Sequence, residues 1–393
     1  MRTGRQSMKN TIAFGITACT ICVGVLAAAD EGQQKAGSGD ATAATSQQTD
    51  PANDARIGKR VIVTEAGAPL RTPDAIVWKA YLGETFTVSL TNSEWLWIAE
   101  KGGWLWEKQT VMFDAAIPEL TERLKKEPTA ENYHLRGIAY SAHQQYDKAI
   151  ADYTQSLKLT PNTAGVLNNR GQAQYFQNNY DAAIRDFDAA ISADPKHFVA
   201  MNNRALCYIA RQDYPAALRD LNAALKLNQE YPEALNNRGV VHSALNNFKA
   251  AIKDYSAALK IDDKYIDAYG NRAYAYRQQN QLTEAVADLR TAMEKAPLDF
   301  KPVNDLAWML ATVADESVQN PEEAIKLATS ACQMTQYANW NTLDTLAAAY
   351  AAAGDFESAQ QWIATAIEKA GDAEKPGLQK HLEQIQAGQR IVK

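Results

Sequence analysis

One asparagine recurs every 34 residues along the helical part of the chain, and its chemistry suits the binding of peptide groups. An asparagine amide offers N–H donors and a carbonyl acceptor, so it can hydrogen-bond a peptide group whatever side chain the peptide carries. Asparagine is a weak helix former, so its repetition on helices needs compensation. Two uses stay open from the pattern: ligand binding, or hydrogen bonds to solvent and within each repeat. The column consists of Asn169, Asn203, Asn237 and Asn271.

A second pattern pairs an arginine with an aspartate 16 residues further along the chain, five times over. An arginine and a carboxylate can match through two parallel hydrogen bonds, and each charge here has a partner at constant spacing. We therefore predict structural ion pairs between helices rather than an anion-binding stripe. The arginines are Arg136, Arg170, Arg204, Arg238 and Arg272, and the aspartates are Asp152, Asp186, Asp220, Asp254 and Asp288.

No arrangement of side chains predicts catalysis. The histidines show no metal-ligand spacing such as His-x-x-x-His, and the chain lacks Gly-x-Ser-x-Gly, P-loop and glycine-rich dinucleotide motifs. Cys207 and Cys332 lie 125 residues apart on apolar helical faces, which predicts no disulfide framework. We therefore expect a protein that is not an enzyme and uses no cofactor or metal. The histidines are His134, His143, His197, His242 and His381.

The composition argues against one class of partner. The 393 residues include 40 basic and 46 acidic side chains, a formal net charge of −6, without a basic block. Such a chain has no electrostatic footprint for nucleic acid or for an anionic membrane surface. Nucleic acid is therefore not an expected partner, while the 46% of apolar residues can build a sizeable core.

Residues 1–29 have the order of a secretory signal peptide. A basic start precedes an uncharged apolar run over 11–26, and three alanines follow it. The alternatives are an uncleaved membrane anchor and lipidation at Cys19, and only these would attach the chain to a membrane. Residues 30–58 are polar and aperiodic, which predicts a disordered linker. All three interpretations place the protein outside the cytoplasm, in the periplasm or cell envelope.

Residues 59–113 change to the alternation of β-strands. Short runs separated by glycine and asparagine turns predict a small antiparallel barrel. Residues two apart on a strand share a face, so Trp95 lies with Trp97, and Trp104 with Trp106. Such a face either packs inside the molecule or forms a groove for a peptide or a cell-wall fragment. The predicted strands are 61–63, 77–81, 85–90, 95–98 and 104–106.

The order of these features resembles bacterial SH3-like domains. Pro69-Leu70-Arg71 stands where that family has a Leu-Asn-Val-Arg segment, and Leu82-Gly83-Glu84 matches its glycine–acid turn. Trp95 and Gly103-Trp104-Leu105 match two later segments, whereas Arg71-Thr72-Pro73-Asp74 replaces the family's Asn and Ser-Gly-Pro. The resemblance implies an SH3-like β-barrel, and the departure weakens the case for its ligand groove. The groove residues that the resemblance implies are Trp95, Trp97, Trp104 and Trp106.

From residue 130 onward, a shift of 34 residues superposes the chain on itself. One column holds glycine or alanine, a second alanine, and a third a large apolar residue. This period and column chemistry resemble the tetratricopeptide repeat, a right-handed pair of antiparallel helices that stacks into a solenoid. Small residues let the helix axes approach, and the third column fills the space beside them. The columns are Gly137, Gly171, Ala205, Gly239 and Ala273; Ala149, Ala183, Ala217, Ala251 and Ala285; and Tyr153, Phe187, Leu221, Tyr255 and Leu289.

The predicted fold class is mostly α with a small all-β domain: a tetratricopeptide-repeat α-solenoid preceded by an SH3-like β-barrel. Two late segments, 306–312 and 343–350, resemble those of planctomycete repeat proteins. The predicted boundaries are 1–29, 30–58 and 59–113 as above; 114–129, a half-repeat capping helix; 130–163, 164–197, 198–231, 232–265 and 266–299, five regular repeats; 300–374, two altered repeats with a lengthened loop; and 375–393, a capping helix.

In similar repeat proteins the asparagine column faces an inner concave surface and binds the backbone of an extended peptide. The resemblance implies such a site on the first helices of the repeats. A clamp for C-terminal carboxylates is not expected, because His134 and Ile138 occupy the places of its lysines. The implied site residues are Asn168, Asn169, Asn202, Asn203, Asn236, Asn237, Asn271, Tyr175, Tyr274 and Arg277.

Two functions follow from different parts of the chain. The first is an exported adaptor whose solenoid binds an extended segment of another protein. The alternative is attachment to peptidoglycan through the SH3-like domain, with the solenoid as a spacer. The sequence does not separate the first function from that of a regulatory or assembly subunit of an enzyme.

Overall fold

The computed structural model describes residues 54–392 except 66, 73–74 and 81–83. The predicted signal peptide with Cys19, and most of the predicted linker, lie outside the described residues. Two compact units contain 54–228 and 229–392 of the described chain, and each is considered by itself. The first unit begins with eight short β-strands, and all the remaining regular elements are helices apart from two short 3₁₀ turns.

The strands form two antiparallel sheets around a small apolar core. One sheet has the order β4-β1-β8 and the other β3-β2-β7-β6-β5. Side chains such as Leu70, Leu96 and Leu105 are fully buried because alternate residues on each strand face the core. The strands are β1 (Arg60–Val63), β2 (Ala68–Arg71), β3 (Ile76–Ala80), β4 (Thr85–Thr87), β5 (Leu90–Asn92), β6 (Trp95–Ile98), β7 (Gly103–Trp106) and β8 (Thr110–Met112).

The small all-β domain predicted from the sequence is present, but the described strands do not close into one barrel. The single strand predicted over 85–90 is divided, because Val88 donates its N–H to Lys59 O whereas Ser89 donates its N–H to Trp97 O. The chain therefore passes from one sheet to the other between Val88 and Ser89. Strands β2 and β8 complete the two sheets and were not among the predicted strands.

The β domain joins the first helices through a shared core. A 3₁₀ turn follows β8 directly, and helix α1 begins at Ala116. Ile62 of β1, Leu120 of α1 and Leu135 of the next helix are fully buried in one apolar cluster. This packing fixes the first helices against the β domain within the first unit.

The helices come as antiparallel pairs of nearly constant length. The first unit contains α1 (Ala116–Lys126), α2 (Ala130–Ala142), α3 (Tyr146–Leu159), α4 (Ala164–Phe176), α5 (Tyr180–Ala193), α6 (Phe198–Ala210) and α7 (Tyr214–Leu227). The second unit contains α8 (Pro232–Ala244), α9 (Phe248–Ile261), α10 (Ile266–Gln278), α11 (Leu282–Lys295), α12 (Phe300–Thr312), α13 (Pro321–Met334), α14 (Trp340–Ala352), α15 (Phe356–Lys369) and α16 (Lys375–Gln386). None of the helices in the described residues is both long enough and apolar enough to span a membrane.

A left-handed residue ends the first helix of each regular pair. Its φ lies between 57° and 61°, and in every case it is asparagine or glutamine. Asparagine, which occupies three of the five places, tolerates this conformation better than most residues. The residues are Gln144, Asn178, Gln212, Asn246 and Asn280.

Inside each regular pair, the size of one residue matches the size of the residue it faces. A Cβ added to Gly239 would lie 2.5 Å from the Tyr255 ring, and one added to Gly171 would lie 2.9 Å from the Phe187 ring. Where the first column has alanine, as at Ala205, the third column has leucine, as at Leu221. The predicted close approach of the two helices is therefore confirmed, with glycine reserved for aromatic partners.

The predicted arginine–aspartate pairs are confirmed in all five regular repeats. In each pair the arginine Nε and Nη2 atoms donate to the two carboxylate oxygens at 2.7–2.8 Å. A third donor, Nη1, often bonds the second helix of the preceding pair, as from Arg170 to Thr154 Oγ1 at 3.2 Å or from Arg272 to Ser256 Oγ at 2.9 Å. Arginines with such a third bond thus connect two helix pairs as well as two helices.

Candidate functional site

The predicted asparagine column is buried. Asn203 and Asn271 are 5% and 3% exposed, and each donates Nδ2 to the Oδ1 of an asparagine on the preceding first helix, at 3.0 Å in both cases. The acceptors are Asn168 and Asn236, 3% and 0% exposed. We call these linked amides the asparagine ladder. In the first unit it consists of Asn168, Asn169, Asn202 and Asn203, and in the second unit of Asn236 and Asn271, beside which Asn237 is also buried.

The ladder also contains bonds along a helix and a bond to a neutral histidine. Asn168 Nδ2 donates to Asn169 Oδ1 at 3.2 Å, and Asn169 Nδ2 lies 2.9 Å from His134 Nε2. Burial lowers the pKa of His134 to about 4, so the neutral ring can accept this bond at physiological pH. The ladder amides thus bond one another between the first helices of successive repeats, whereas the sequence analysis expected bonds to solvent or within each repeat. Their contact with a peptide remains a prediction.

The other implied peptide-site residues are more accessible. Tyr175, Tyr274 and Arg277 are each half-buried. Tyr274 packs edge-on against Phe248 with ring centroids 6.3 Å apart, and Arg277 Nη2 donates to Thr312 Oγ1 at 3.2 Å. Burial lowers the pKa of Arg277 and raises that of Tyr274. In each unit, we call the stripe of first-helix residues that these side chains share with the ladder the first-helix face.

Acidic residues on the same face were missed by the sequence analysis. Glu233 and Asp267 stand three or four residues before the ladder asparagines of their helices, so they lie on the same helical stripe. Asp305 takes the place in α12 that Asn271 takes in α10. The 34-residue spacing of Glu233, Asp267 and Lys301 was a signal that could have found this column.

The four predicted groove tryptophans lie on the outer face of the five-stranded sheet. Trp95 is paired with Trp106 and Trp97 with Trp104, and the Trp97 and Trp104 ring centroids are 5.3 Å apart. Trp95 is 38% exposed and the other three are half-buried, while the alternating residues Leu96 and Leu105 fill the core. The glycine–acid turn implied by the SH3-like resemblance, 82–84, falls largely outside the described residues.

Within the described part of the chain, no group of three or more His, Cys, Asp or Glu residues could hold a metal ion. Cys207 and Cys332 are free and buried, and burial raises the pKa of both thiols. His381 is buried against Asp344, with Nδ1 2.9 Å from Oδ1, and this pair connects α16 to α14.

Family models of the tetratricopeptide repeat match the regular helix pairs. The matched residues are 134–198, 168–222, 205–246, 232–265 and 266–297. Residues 134–297 therefore consist of tetratricopeptide repeats, and the helical part of the protein is a tetratricopeptide-repeat solenoid. No curated protein matches the sequence.

Solved structures are similar in fold. The APC/C hetero-tetramer Cut9–Hcn1 has a TM-score of 0.53 at 17% identity, with 60% of this chain and 46% of that chain covered. Yeast Tom70 has a TM-score of 0.51 at 16% identity, with 70% and 59% covered. A repeat protein from Parabacteroides merdae has a TM-score of 0.47 at 18% identity, with 69% and 99% covered. The chain spans about half of the first of these relatives, and at such identities only the fold is shared.

Proposed function

We propose that the protein is a non-enzymatic scaffold, exported to the cell envelope, that binds an extended segment of another protein on the first-helix face. One observation carries the proposal: accessible Tyr274 and Arg277 stand on a face whose base is a buried, mutually hydrogen-bonded row of amides. A rigid base limits the side-chain entropy lost on binding. Tyrosine and arginine are also the residues that most often dominate the affinity of protein interfaces.

Selection of displayed 12-residue peptides on the immobilised full chain tests this function. Peptides selected by the wild type should lose binding to a Tyr274→Ala/Arg277→Ala variant, by about tenfold or more if the two side chains are central to the contact. The exposed Lys253, on second helix α9, supplies the control variant Lys253→Ala, which should bind as the wild type does. Selected peptides that bind all three proteins equally would refute a peptide site on this face.

The alternative function is attachment to peptidoglycan through the β domain, with the solenoid as a spacer. It is favoured by the outer-face tryptophans, because Trp95 and its neighbours leave aromatic surface open to a ligand. Sedimentation of the full chain with purified cell wall should fall strongly in a Trp95→Ala/Trp104→Ala variant that keeps its circular dichroism. Equal sedimentation of both proteins would count against this alternative, as would absence of sedimentation by the wild type.

Export is part of the proposal and rests on residues 1–29. Fractionation of cells that express the full chain should place it outside the cytoplasm, and deletion of 1–29 should retain it inside. The mass of the exported protein separates the possible fates of the leader. Cleavage removes the leader, lipidation adds acyl mass that a Cys19→Ala variant lacks, and an uncleaved anchor preserves the full mass.

A further inference from the structure

The first-helix face of the second unit carries an uneven distribution of charge. Asp267 on α10 and Asp299 and Asp305 at α12 place three carboxyl groups at one seam between helices, where Lys301 is a positive group that acts on both Asp267 and Asp305. These four groups are close enough to alter one another's ionisation. Glu233 continues the acidic column one helix pair earlier, on α8. Asp267 lies at the N-terminal end of α10, whereas Arg277 lies at its C-terminal end.

The negative charges of these carboxyl groups are only partly offset by hydration and by the neighbouring lysine. Surrounding protein limits the hydration of Asp305, although its side chain reaches solvent, and this desolvation raises its pKa to about 6. The same cause raises the pKa of Asp267 and of Glu233. A charge held in such an environment interacts more strongly with an incoming cation than a fully solvated charge does.

A second observation also points to a ligand. Asn304, 4% exposed, bonds Asp305 and donates Nδ2 to Asn341 Oδ1 at 3.5 Å, yet its own Oδ1 is buried without a partner among the described residues. Asn236, 0% exposed, likewise has a buried Nδ2 without a partner in the described chain. A buried polar group normally has a partner, because leaving one unpaired costs about 1–3 kcal/mol. The unpaired Asn304 Oδ1 belongs to the residue that bonds Asp305, and it is an acceptor suited to a peptide N–H.

We infer that the partner segment is basic: an extended peptide whose lysine or arginine side chains lie against Asp267 and Asp305, and whose main chain approaches Asn304. This inference rests on the proposed peptide-binding function and specifies the chemistry of its partner. Acidic or carboxylate-terminated segments do not fit here, because the seam holds three acids and one lysine. Binding of a cationic side chain to Asp267 and Asp305 would form charge-assisted hydrogen bonds in place of their partial hydration.

The test uses three fluorescein-labelled 12-residue probes in which alanine alternates with lysine, glutamine or glutamate. Their affinities for the full chain are measured by anisotropy at physiological salt. The lysine probe should bind about tenfold more tightly than the glutamine probe, and the glutamate probe should bind most weakly. In Asp267→Asn/Asp305→Asn the preference for lysine over glutamine should shrink to less than about twofold.

A matched control separates a local site from the general attraction of an acidic protein. Glu284→Gln/Glu322→Gln removes the same charge from exposed positions on second helices α11 and α13, and it should keep the tenfold preference. An equal loss of preference in both double variants would overturn the inference, and so would a glutamine probe that binds as well as the lysine probe.

The selected 12-residue peptides distinguish this failure from failure of the proposed function. Peptides that require Tyr274 and Arg277 but show no enrichment in lysine or arginine would overturn the basic partner alone. Selected peptides that bind the Tyr274→Ala/Arg277→Ala variant as tightly as the wild type would overturn the peptide site, and the basic partner with it.

Discussion

The regular and altered repeats have different residues immediately before the small residue of the first column. In the regular repeats an arginine such as Arg272 precedes the small first-column residue and makes two hydrogen bonds to Asp288. In the altered repeats Leu306 and Leu346 stand at this place, both almost fully buried. Leu327 and Trp362 then take the place of the aspartate and pack, half-buried, against the same apolar cluster.

The ion pair is therefore one of two ways in which the repeats fill the space between their paired helices. A buried ion pair must offset the desolvation of two charges, and apolar residues of similar volume often do as well or better. The arginine has a geometric use that leucine lacks, because its third donor can reach the preceding helix pair. We therefore expect the pairs to fix how successive repeats stack more than to add free energy of unfolding.

Breaking one pair should give the largest effect on stability. Asp254→Ala leaves the Arg238 guanidinium partly buried without its carboxylate, and we expect a loss of about 3 kcal/mol. The double variant Arg238→Leu/Asp254→Leu imitates the altered repeats and should lie within about 1 kcal/mol of the wild type. Urea unfolding followed by circular dichroism measures both. Asp263→Ala, which breaks the more exposed pair with Lys295, should cost clearly less than Asp254→Ala does, because exposed ion pairs contribute little to stability.

A loss for the double leucine variant as large as that for Asp254→Ala would contradict the comparison. It would mean that the regular repeats need the charges themselves and not only the volume that they fill.

Adding one methyl group to the glycine column should have the next largest effect. Gly239→Ala places Cβ against the Tyr255 ring, at 2.5 Å before relaxation, and should cost about 2 kcal/mol. Combining Gly239→Ala with Tyr255→Leu recreates the pairing of Ala205 with Leu221. The double variant should recover part of the lost stability, which a double-mutant cycle would show as a favourable coupling between the two substitutions. Additive losses in that cycle would show that glycine is not required by the size of its partner.

Shortening one ladder residue should have a smaller effect. Asn271→Ala removes the donor to Asn236 Oδ1 and leaves this buried acceptor unpaired, with an expected loss of about 1–2 kcal/mol. The altered repeats tolerate a different residue here, since Asp305 occupies the place in α12. Thermal unfolding of Asn271→Ala beside the exposed control Gln278→Ala measures the difference, and equal melting temperatures would show that the ladder is not structural.

Replacing Asp305 should have the smallest effect, a gain in the free energy of unfolding. The folded pKa of Asp305, about 6, lies above its ordinary value of 3.8, so folding favours the protonated carboxyl. Its contribution to stability is complete below pH 3.8 and is lost as the pH rises through 6. Asp305→Asn should therefore stabilise the protein at pH 7.5, by about 1 kcal/mol after allowance for solvent screening of this exposed side chain.

This gain should disappear as the pH falls to 4, because the wild-type carboxyl is then protonated as well. Urea midpoints of the two proteins at pH 7.5 and pH 4 provide the measurement. A gain that is independent of pH would mean that the charge of Asp305 is not its cause.

Much of the fold could be predicted because each repeat is a local unit. The columns around Gly137 and Ala149, and the arginine–aspartate spacing, are short-range patterns, and stacking reproduces them with every repeat. The β domain was harder, since its sheets depend on pairings between distant strands. Alternation over 85–90 gave the right strand direction but could not show that Val88 and Ser89 bond different sheets.

The sequence by itself determined the repeat period, the small-to-large matching within each pair and the salt-bridge partners, because all of these are set by spacing along one helix pair. That the asparagines bond one another between repeats is visible only in the tertiary structure. The Asn203 amide bonds Asn168, a residue 35 positions away on a neighbouring helix, and burial forces that bond because an unpaired amide would be costly there. The same stacking brings Asp267 close enough to Asp305 for the two charges to interact, and it leaves Asn304 Oδ1 without a partner among the described residues, which no periodicity in the chain reveals.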